Sequence, residues 1–435
     1  MWTESTWMNS GNESGRIKVV VLGAGFAGFS FINSFIRKLR RRDRRRIDLT
    51  VIDGNSYHLF APLLYQVATG SVRGGHISSS IYPSAESKKF RFLKSTVLRI
   101  FPEKNRVITT SGVVSYDYLV VSLGAENNNF GVPGVGEYSV PLRSLRDGRA
   151  IRERIYNSLI QEKNAYHVSG GDLLPVNFVI VGGGATGVEL AASMSDQIRA
   201  FLGKANAGHP NINVILVEAQ DRLLRDAPEE VSERLMADLT RKEVKVMLGT
   251  RVRSINKNGI ELQNGGFIET RNVFWAAGIR NGNIITEFGG RYVEKDHGRI
   301  AVDSCLRVPG FGNVFVLGDN SLVKSAKGSD PVPQTAAAAV QEGKFAGKYL
   351  ASFIGGRVNS EGFRYRDTGL MVATGSFSAV CMFPGRKIIT GFGAWIIWHT
   401  VHLFKLETLK NRITVMADWI LWDHYMRNMA GPRLN

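Results

Sequence analysis

Three closely spaced glycines near the start of the chain indicate that a ligand approaches the backbone there. The stretch KVVVLGAGFAGFS, residues 18–30, places Gly23, Gly25 and Gly28 directly after an apolar segment with strand character. In a dinucleotide-binding turn the first glycine bends the chain, the second admits the pyrophosphate and the third lets the helix pack on the strand. The N–H groups and dipole at the start of that helix stabilise the negative charge. A tight turn without a ligand is the alternative.

An acidic residue at the end of the next strand supports the nucleotide interpretation. The strand DLTVIDGN ends in Asp53, at the position where such folds bind the ribose hydroxyls. Asp53 follows Gly28 by 25 residues, whereas about 20 is usual. The basic stretch RKLRRRDRRR, residues 37–46, predicts a charged extension of the first helix, which accounts for the longer spacing. This extension either is solvated or contacts lipid.

The same pattern returns 159 residues later, in VNFVIVGGGATGVELAASM, which carries Gly182, Gly184 and Gly187. Two strand–turn–helix motifs of this kind predict two bound dinucleotides. The strand that follows, NVILVEAQ, ends in Glu218. A carboxylate there accepts a hydrogen bond from a free ribose 2′-hydroxyl and repels a 2′-phosphate, which favours NADH over NADPH. A solvated acid at a strand end would leave the cofactor choice open.

Two more acidic residues are candidates for the chemistry. Asp319 ends the strand NVFVLGDNS, where an aspartate holds the sugar-alcohol and pyrophosphate region of a flavin in a two-nucleotide oxidoreductase. Glu189 lies just inside the second nucleotide helix. The alternatives are an ordinary Gly-Asp turn for Asp319 and a helix-end acid stabilised by the dipole for Glu189.

The composition limits the protein to a few classes. With 435 residues, 44% hydrophobic and 21% charged, the chain is long enough for two or three globular domains. A net charge of +17 indicates a polyanionic partner, either nucleic acid or an anionic membrane surface. Because the sequence contains no recognisable nucleic-acid-binding module, we expect no nucleic acid.

The cysteines and the N-terminal segment indicate the cellular setting. Cys305 and Cys381 lie 76 residues apart without a C-x-x-C motif, so neither a thiol redox pair nor a metal site is expected. A reduced, cytoplasmic setting follows. The N-terminal MWTESTWMNSGNESG has neither secretory-signal nor transit-peptide character and is interpreted as a loose tail. The sequence has no uninterrupted apolar run of 18 residues that would predict a spanning helix.

The C-terminal region differs from the rest of the chain because it is apolar and rich in tryptophan. Its two apolar runs, 392–404 and 413–425, are 13 residues each and are separated by the polar, net basic stretch KLETLKNR. The residues suited to a membrane interface are Trp395, Trp398, Trp419 and Trp422. We expect two helices that lie on an anionic membrane surface. The alternative is that the helices pack as ordinary core or across a homodimer.

Seven segments stand in the order and spacing of one family: VVVLGAGFAG, SYHLFAPLLYQVATG, YDYLVVSLGAENNNFGVPGV, VIVGGGATGVELA, VFWAAGIR, VFVLGDN and FRYRDTGLMVATGSFSAV. Over about residues 17–425 the sequence resembles the type II NADH dehydrogenases, which are single-subunit NADH:quinone oxidoreductases. The resemblance implies an α/β fold with two Rossmann-like dinucleotide-binding domains, for FAD and NADH, plus a C-terminal amphipathic helical membrane-association segment. YHLFAPLLYQVATG and the aromatic C-terminus are the parts most particular to this group.

The resemblance also implies which residues contact each cofactor. Those implied for FAD are Gly23, Ala24, Gly25, Phe26, Ala27, Gly28, Asp53, Val97, Ala125, Asp319, Thr335 and Ala336. Those implied for NADH are Gly182, Gly183, Gly184, Gly187, Glu218, Ala277 and Gly278. Under this resemblance Glu189 and Gln341 are the predicted catalytic residues. Glu189 is expected near the nicotinamide and flavin rings, and Gln341 is assigned to placing the quinone headgroup. The sequence departs from many family members at Ala337, where they carry a glutamine.

The activity implied by the resemblance is hydride transfer from NADH to FAD, followed by transfer of two electrons to a membrane quinone without proton pumping. A peripheral position at the cytoplasmic face of the cell membrane is expected. Two other functions stay open. A sulfide:quinone reductase-like enzyme needs a pair of cysteines beside the flavin, and a flavin- and NADH-binding protein with a signalling role needs only slow turnover.

The domain prediction follows the order of the motifs. Residues 17–130 and 295–385 are assigned to the FAD-binding domain, 131–294 to an inserted NADH-binding domain, and 386–435 to the membrane-association helices. The stretch FGVPGVGEY is predicted to lead into the inserted domain, and Gly289 with Gly290 to lead back.

Overall fold

The computed structural model describes residues 15–169, 175–202, 212–282, 298–324, 331–357, 361–385 and 387–429. The helices are α1 (Phe26–Lys38), α2 (Arg41–Arg44), α3 (Leu64–Thr69), α4 (Ile81–Lys88), α5 (Val135–Tyr138), α6 (Leu145–Ser169), α7 (Ala185–Leu202), α8 (Glu229–Arg241), α9 (Ala336–Ile354), α10 (Gly391–Lys405) and α11 (Leu409–Met429).

The strands lie mostly between these helices. They are β1 (Ile17–Leu22), β2 (Ile47–Asp53), β3 (Tyr57–Leu59), β4 (Ser78–Ser80), β5 (Arg91–Lys94), β6 (Val97–Phe101), β7 (Arg106–Thr109), β8 (Gly112–Ser115), β9 (Tyr118–Val121), β10 (Glu126–Asn127), β11 (Ser139–Pro141), β12 (Val176–Val181), β13 (Ile212–Val217), β14 (Val244–Met247), β15 (Val252–Asn256), β16 (Gly259–Leu262), β17 (Phe267–Glu269), β18 (Asn272–Trp275), β19 (Ile279–Arg280), β20 (Ile300–Ala301), β21 (Val314–Val316), β22 (Ser321–Leu322), β23 (Leu370–Ala373), β24 (Ala379–Met382) and β25 (Ile388–Thr390).

The chain folds into two compact units, each built from separate segments. The first unit comprises Met1–His58, Ser80–Glu126 and Arg280–Arg366, and the second comprises Leu59–Ser79, Asn127–Ile279 and Asp367–Asn435. The predicted domain boundaries at residues 130/131, 294/295 and 385/386 stay a prediction. The predicted return at Gly289 and Gly290 lies outside the described residues.

The first unit is organised by a parallel sheet in the order β21-β9-β1-β2-β5. Strand β1 is buried on both faces, as is typical of parallel sheets covered by helices. Val19 and Val21 contribute to one hydrophobic cluster, whereas Val20 and Leu22 contribute to another, because successive side chains alternate between the faces. The continuous apolar run in the sequence therefore reflects burial from both sides.

Helices α1 and α9 pack closely on one face of this unit. At Gly343 an added Cβ would lie 2.2 Å from the Ala27 carbonyl oxygen, and at Gly347 it would lie 2.6 Å from the Phe31 carbonyl oxygen. Only glycine permits this distance between the two helix backbones. The close packing fixes the start of α9 relative to the first glycine turn.

The basic segment 37–46 does not extend α1, contrary to the sequence prediction. Helix α1 ends at Lys38, and Leu39 takes an extended conformation with ψ 133°. The Leu39 side chain is buried in the hydrophobic cluster beneath, which draws the backbone out of the helix. Three of the remaining arginines, Arg41, Arg42 and Arg44, lie in the separate single-turn helix α2.

The second unit repeats the architecture with the parallel sheet β11-β18-β12-β13-β14. Antiparallel sheets β15-β16-β17 and β23-β24-β25 complete it. The two parallel sheets confirm the predicted α/β fold with two Rossmann-like halves. In the described part of the chain, no helix combines the length and the apolar character needed to cross a membrane.

The C-terminal helices α10 and α11 belong to the second unit, and one side of each is core. Trp398 is fully buried, and Ala394 and Val415 are buried as well. The Trp419 indole N–H donates to the Gln66 side-chain oxygen at 2.8 Å. The prediction that Trp398 faces a membrane is therefore wrong, because its side chain is buried against the Leu59–Ser79 segment of the same unit. Trp419 is partly buried against that segment, and its membrane contact stays a prediction.

Candidate dinucleotide sites and a buried carboxylate

The first glycine turn has a geometry that protein packing explains only in part. Gly23 adopts φ +90°, and its N–H donates to the Ile52 carbonyl at 2.8 Å. At Gly28 an added Cβ would lie 1.9 Å from the Gly23 carbonyl oxygen, so no larger residue fits. At Gly25, in contrast, an added Cβ would meet no atom within 4 Å. The protein itself does not require glycine there, and the open space in front of Gly25 fits a pyrophosphate.

The second turn reproduces this arrangement within the other unit. Gly182 adopts φ +112° and donates its N–H to the Val217 carbonyl at 2.8 Å. An added Cβ at Gly187 would lie 1.9 Å from the Gly182 carbonyl oxygen, whereas one at Gly184 would again meet nothing within 4 Å. Each unit thus has an open cradle at the start of a helix, as the pyrophosphates of FAD and NADH require.

The acidic residue after each turn braces the turn itself. Asp53 accepts the Ala24 N–H at 2.7 Å through one oxygen and the Asn55 N–H at 2.7 Å through the other. Burial raises the pKa of Asp53, and these backbone hydrogen bonds oppose the rise. Glu218 accepts the Gly183 N–H and, at 2.7 Å, the Gln220 N–H. Since a carboxylate has about four acceptor sites, each acid retains acceptors for a ribose hydroxyl.

Other predicted FAD contacts surround the first turn. The Asn320 side chain binds both the N–H and the carbonyl of Gly124, at 3.1 and 2.7 Å, which ties the loop containing Ala125 to the turn containing Asp319. An added Cβ at Gly318 would lie 3.2 Å from Ala27. Val97 is buried in the sheet β6-β7-β8 of the same unit.

Helix α9 begins where the sequence predicted it. Thr335 is the N-cap, and its side-chain oxygen accepts the Ala338 N–H at 3.2 Å, with Ala336 the first helical residue. Gln341 lies one turn later, but its amide is engaged by the backbone of Arg366, which it contacts at 2.9 Å as donor and 3.0 Å as acceptor. This bracing role does not require a quinone. Placement of the quinone headgroup by Gln341 stays a prediction.

Sequence reasoning missed Glu342, the residue after Gln341. Glu342 is only 2% exposed, and one of its oxygens accepts the Gly318 N–H at 2.6 Å and the Ser321 hydroxyl at 2.8 Å. Burial raises the pKa of Glu342 to about 8, against these hydrogen bonds. A carboxyl within the small, apolar helix segment AAAAVQEGKFAG is the signal that could have revealed it. Glu342 holds the turn that carries Asp319.

The predicted NADH contacts after β18 lie beside the second turn. The backbone of Ala277 is 2.8 Å from the position of an added Cβ at Gly182, so the two segments are in direct contact. Gly278 adopts φ +64°, and its carbonyl accepts the Asn128 N–H at 3.2 Å. The Trp275 indole donates to the Asn128 carbonyl at 2.9 Å, which fixes the same segment from behind.

Glu189 is a buried carboxylate in the second unit. Its side chain projects from α7, is 8% exposed, and accepts the Ala373 N–H at 3.1 Å. Burial raises the pKa of Glu189 to about 8, with the Ala373 hydrogen bond and the neighbouring Trp398 indole acting in the opposite direction. The buried phenol of Tyr65 lies close enough for the Glu189 charge to raise the pKa of the phenol. At neutral pH the Glu189 carboxyl therefore carries a proton in an aromatic environment.

The described ranges offer no side-chain cluster suited to metal binding or thiol chemistry. No group of three histidine, cysteine, aspartate or glutamate side chains there could hold a metal ion. Cys381 is buried and Cys305 partly exposed, and both are free thiols. Burial raises the pKa of Cys381 to about 11, which keeps it in the unreactive thiol form.

Two Rossmann-like units with two open pyrophosphate cradles define a flavoprotein oxidoreductase of the two-dinucleotide-binding-domain class. The family model for pyridine nucleotide-disulphide oxidoreductases matches residues 17–343. A type II NADH:quinone oxidoreductase from Mycobacterium tuberculosis is 30% identical over 420 residues, covering 93% of this chain and 87% of that protein. A probable NADH dehydrogenase from Dictyostelium discoideum is 28% identical over 415 residues, with 93% and 88% covered.

Solved structures show the same fold. The NDH2 protein of Plasmodium falciparum, in complex with NADH, superposes with a TM-score of 0.82 at 19% identity, covering 95% of this chain and 99% of that one. The sulfide:quinone oxidoreductase of Aquifex aeolicus superposes with a TM-score of 0.70, also at 19% identity, with 96% and 93% covered. The chain belongs to the pyridine nucleotide-disulphide oxidoreductase family, within its group of type II NADH:quinone oxidoreductases.

Proposed function

We propose that this protein oxidises NADH and reduces a membrane quinone with FAD as its bound cofactor. The observation that carries the proposal is the pair of open cradles at Gly25 and Gly184, in a chain that belongs to this family over most of its length. FAD, when bound, accepts a hydride from NADH and passes on two electrons. The protein binds and orients the reactants and supplies a proton.

Glu189 is the group that we propose for proton delivery. Quinone reduction consumes two electrons and two protons, so an acid that is still protonated at neutral pH is useful beside the reacting oxygen. With a pKa of about 8, the Glu189 carboxyl meets that condition, whereas an ordinary glutamate does not. After it gives its proton to the quinone oxygen, Glu189 remains as a carboxylate hydrogen-bonded to the Ala373 amide.

Stopped-flow absorbance of the purified, yellow protein tests the function directly. Mixing with NADH is expected to bleach the flavin, and subsequent mixing with a short-chain quinone is expected to restore its absorbance at a rate consistent with steady-state turnover. Fast reduction followed by negligible reoxidation would instead identify a flavin- and NADH-binding protein with a different output. Reduction by sulfide in place of NADH would indicate the sulfide:quinone reductase activity.

Glu218 is expected to produce the preference for NADH over NADPH. The Glu218→Gln variant keeps hydrogen-bond acceptance but removes the charge that repels a 2′-phosphate, so the NADH/NADPH ratio of kcat/KM should fall about tenfold. Steady-state kinetics with both cofactors measure this ratio. The exposed Glu269 on β17 of the same unit provides the control, because Glu269→Gln removes an equal charge and should leave the ratio unchanged. An unchanged ratio in Glu218→Gln would contradict the assignment.

The outer sides of α10 and α11 form the surface that we propose for docking on an anionic membrane. We define this C-terminal apolar surface by its exposed large side chains: Phe392, Ile396, Phe404, Leu409, Ile413, Met416, Ile420 and Leu421. Leu409 and Ile420 are 70% and 72% exposed, which is unusual for apolar residues in one contiguous helical segment. The net charge of +17 favours the negative cytoplasmic leaflet as the docking surface.

Substituting aspartate for both Leu409 and Ile420 tests this docking. Burial of each side chain in lipid contributes about 1.5–3 kcal/mol, so the double variant should bind anionic vesicles more than about tenfold more weakly in a sedimentation assay. Reduction of a long-tailed quinone in vesicles should fall with binding, while NADH:ferricyanide activity should persist. Val113→Asp, at an exposed valine of the other unit, is the control. Undiminished vesicle binding by the double variant would exclude this surface.

A further inference from the structure

A chain of hydrogen bonds leads from α11 to the Tyr65 phenol, whose pKa the Glu189 charge raises. The Trp419 indole Nε1–H donates to Gln66 Oε1 at 2.8 Å, and Gln66 Nε2–H donates to the Tyr65 hydroxyl at 3.1 Å. Gln66 and Tyr65 are both buried, on α3. The described contacts thus connect an indole, an amide, a phenol and, through electrostatic interaction, a carboxyl within a single compact unit.

The direction of this chain follows from the chemistry of its first member. An indole N–H can only donate, so the Gln66 group facing Trp419 must be the amide oxygen. The Gln66 amide nitrogen then faces Tyr65, whose oxygen must accept. Because the phenol oxygen is occupied as acceptor on that side, the Tyr65 proton points away from Gln66. A donor-only residue on α11 therefore sets the orientation of a hydroxyl two side chains away.

We propose that Trp419 and Gln66 orient the Tyr65 hydroxyl as a hydrogen-bond donor to the Glu189 carboxylate. The proposal rests on the proposed proton delivery by Glu189 and adds Tyr65 as a positioning residue for it. When the Glu189 carboxyl gives its proton to the quinone oxygen, a carboxylate is left in an apolar site. The Tyr65 O–H then stabilises that carboxylate without transferring its own proton, and a solvent proton restores the carboxyl.

Two further contacts hold α3 and α7 in the required register. The Thr69 hydroxyl donates to the Tyr65 carbonyl at 3.1 Å and contacts the Ser193 hydroxyl at 2.7 Å. Ser193 lies one helical turn after Glu189 on α7, so both residues share a face. The Tyr65 ring also meets the Trp398 ring edge-on, with centroids 6.2 Å apart. The phenol is thus fixed at its backbone, ring and hydroxyl.

Several titratable groups on the elements packed around α7 are neutral or paired. Burial lowers the pKa of His399 and of His402 on α10 to about 4, so both are neutral at physiological pH. The paired groups are Asp196 with Lys242, Asp238 with Arg241, Thr374 and Ser378, and Asp418 with His76. Tyr65, in contrast, is a group whose pKa the Glu189 charge raises.

The Tyr65→Phe variant tests the proposal by its pH dependence. Glu189 is active as the protonated acid, so quinone turnover falls as pH rises through its pKa. Loss of a hydrogen bond to the carboxylate destabilises the charged form and raises that pKa. In a plot of quinone turnover against pH, the falling limb should therefore move to higher pH by about one unit. This is the shift expected from one charge-assisted hydrogen bond. Relative to its own maximum, the variant should be more active than the parent at pH 9.

Trp419→Phe should shift the limb in the same direction by a smaller amount, because the Gln66 amide can then turn and accept the Tyr65 proton. The double variant Tyr65→Phe/Trp419→Phe should show the shift of Tyr65→Phe alone, since the chain acts only through the phenol. Trp422→Phe is the matched control on the same helix, because Trp422 Nε1 is buried without a hydrogen-bond partner among the described residues. It should leave the limb in place.

Infrared difference spectroscopy measures the same pKa without turnover. The carboxyl C=O band that is missing from Glu189→Gln is titrated in the parent and in Tyr65→Phe. A higher pKa in Tyr65→Phe, with no change in Trp422→Phe, supports the proposal even if quinone proves not to be the substrate. An unchanged or lowered Glu189 pKa in Tyr65→Phe overturns it, and so does a double variant whose shift is the sum of the two single shifts.

Discussion

Replacing Gly184 with valine is expected to leave a folded, yellow protein that binds NADH about 100-fold more weakly, a loss of about 2.8 kcal/mol. An added Cβ at Gly184 meets no protein atom within 4 Å, so the new side chain starts in the open cradle. The side chain would occupy the space in which the pyrophosphate meets the N–H groups of α7. The NADH dependence of the flavin reduction rate in stopped flow gives the apparent Kd. The limiting reoxidation rate by quinone should be unchanged.

Gly187→Ala is the contrasting variant from the same turn. There an added Cβ lies 1.9 Å from the Gly182 carbonyl oxygen, so the helix must move away from the strand. Such overpacking costs about 1–3 kcal/mol, and thermal unfolding should show a lower Tm even without NADH. If Gly184→Val also lowers the Tm of the ligand-free protein while NADH affinity is retained, the cradle at Gly184 has a structural role only.

Both glycine turns could be predicted from sequence because every interaction that defines them is local or lies between adjacent strands. Gly23 and Gly182 sit at the ends of apolar strands, each followed by a second strand that ends in an acid. The Asp53 carboxylate accepts a hydrogen bond from the first turn, and the Glu218 carboxylate accepts one from the second. Each contact forms because the ends of adjacent strands lie side by side. The local glycine spacing and the pairing of adjacent strands therefore determine the geometry of both turns.

The structure around Glu189 could not be predicted in the same way. Tyr65, Ala373 and Trp398 lie far from Glu189 in the sequence, and only the packing of the second unit brings them together. Composition alone predicts that the tryptophans of α10 and α11 contact a membrane, because it does not distinguish the inner from the outer side of a helix. Large apolar side chains on the outer sides of α10 and α11 are exposed, as a membrane-binding surface requires.

Glu189→Gln is expected to reduce quinone turnover about 100-fold while flavin reduction by NADH proceeds at the parent rate. Glutamine keeps the shape of the protonated side chain and its contact with the Ala373 amide, but it has no proton to give. General acid catalysis contributes about 10²–10⁴-fold, and the lower end applies where solvent can replace the acid. Double-mixing stopped flow separates the two half-reactions. Equal reoxidation rates in parent and variant would show that Glu189 does not deliver the proton and has a structural role only.

The same substitution should change how stability depends on pH. The pKa of Glu189 rises from an ordinary 4.5 to about 8 on folding, so between these values the folded protein binds more protons than the unfolded chain. Stability from this group is fully present below pH 4.5 and is lost as pH rises through 8. The Glu189→Gln variant does not undergo this loss of stability. The difference between the Tm of the variant and the Tm of the parent should therefore become more positive from pH 6 to pH 9. A Tm difference that stays constant across this range would mean that the carboxyl titrates normally and cannot hold a proton for the quinone.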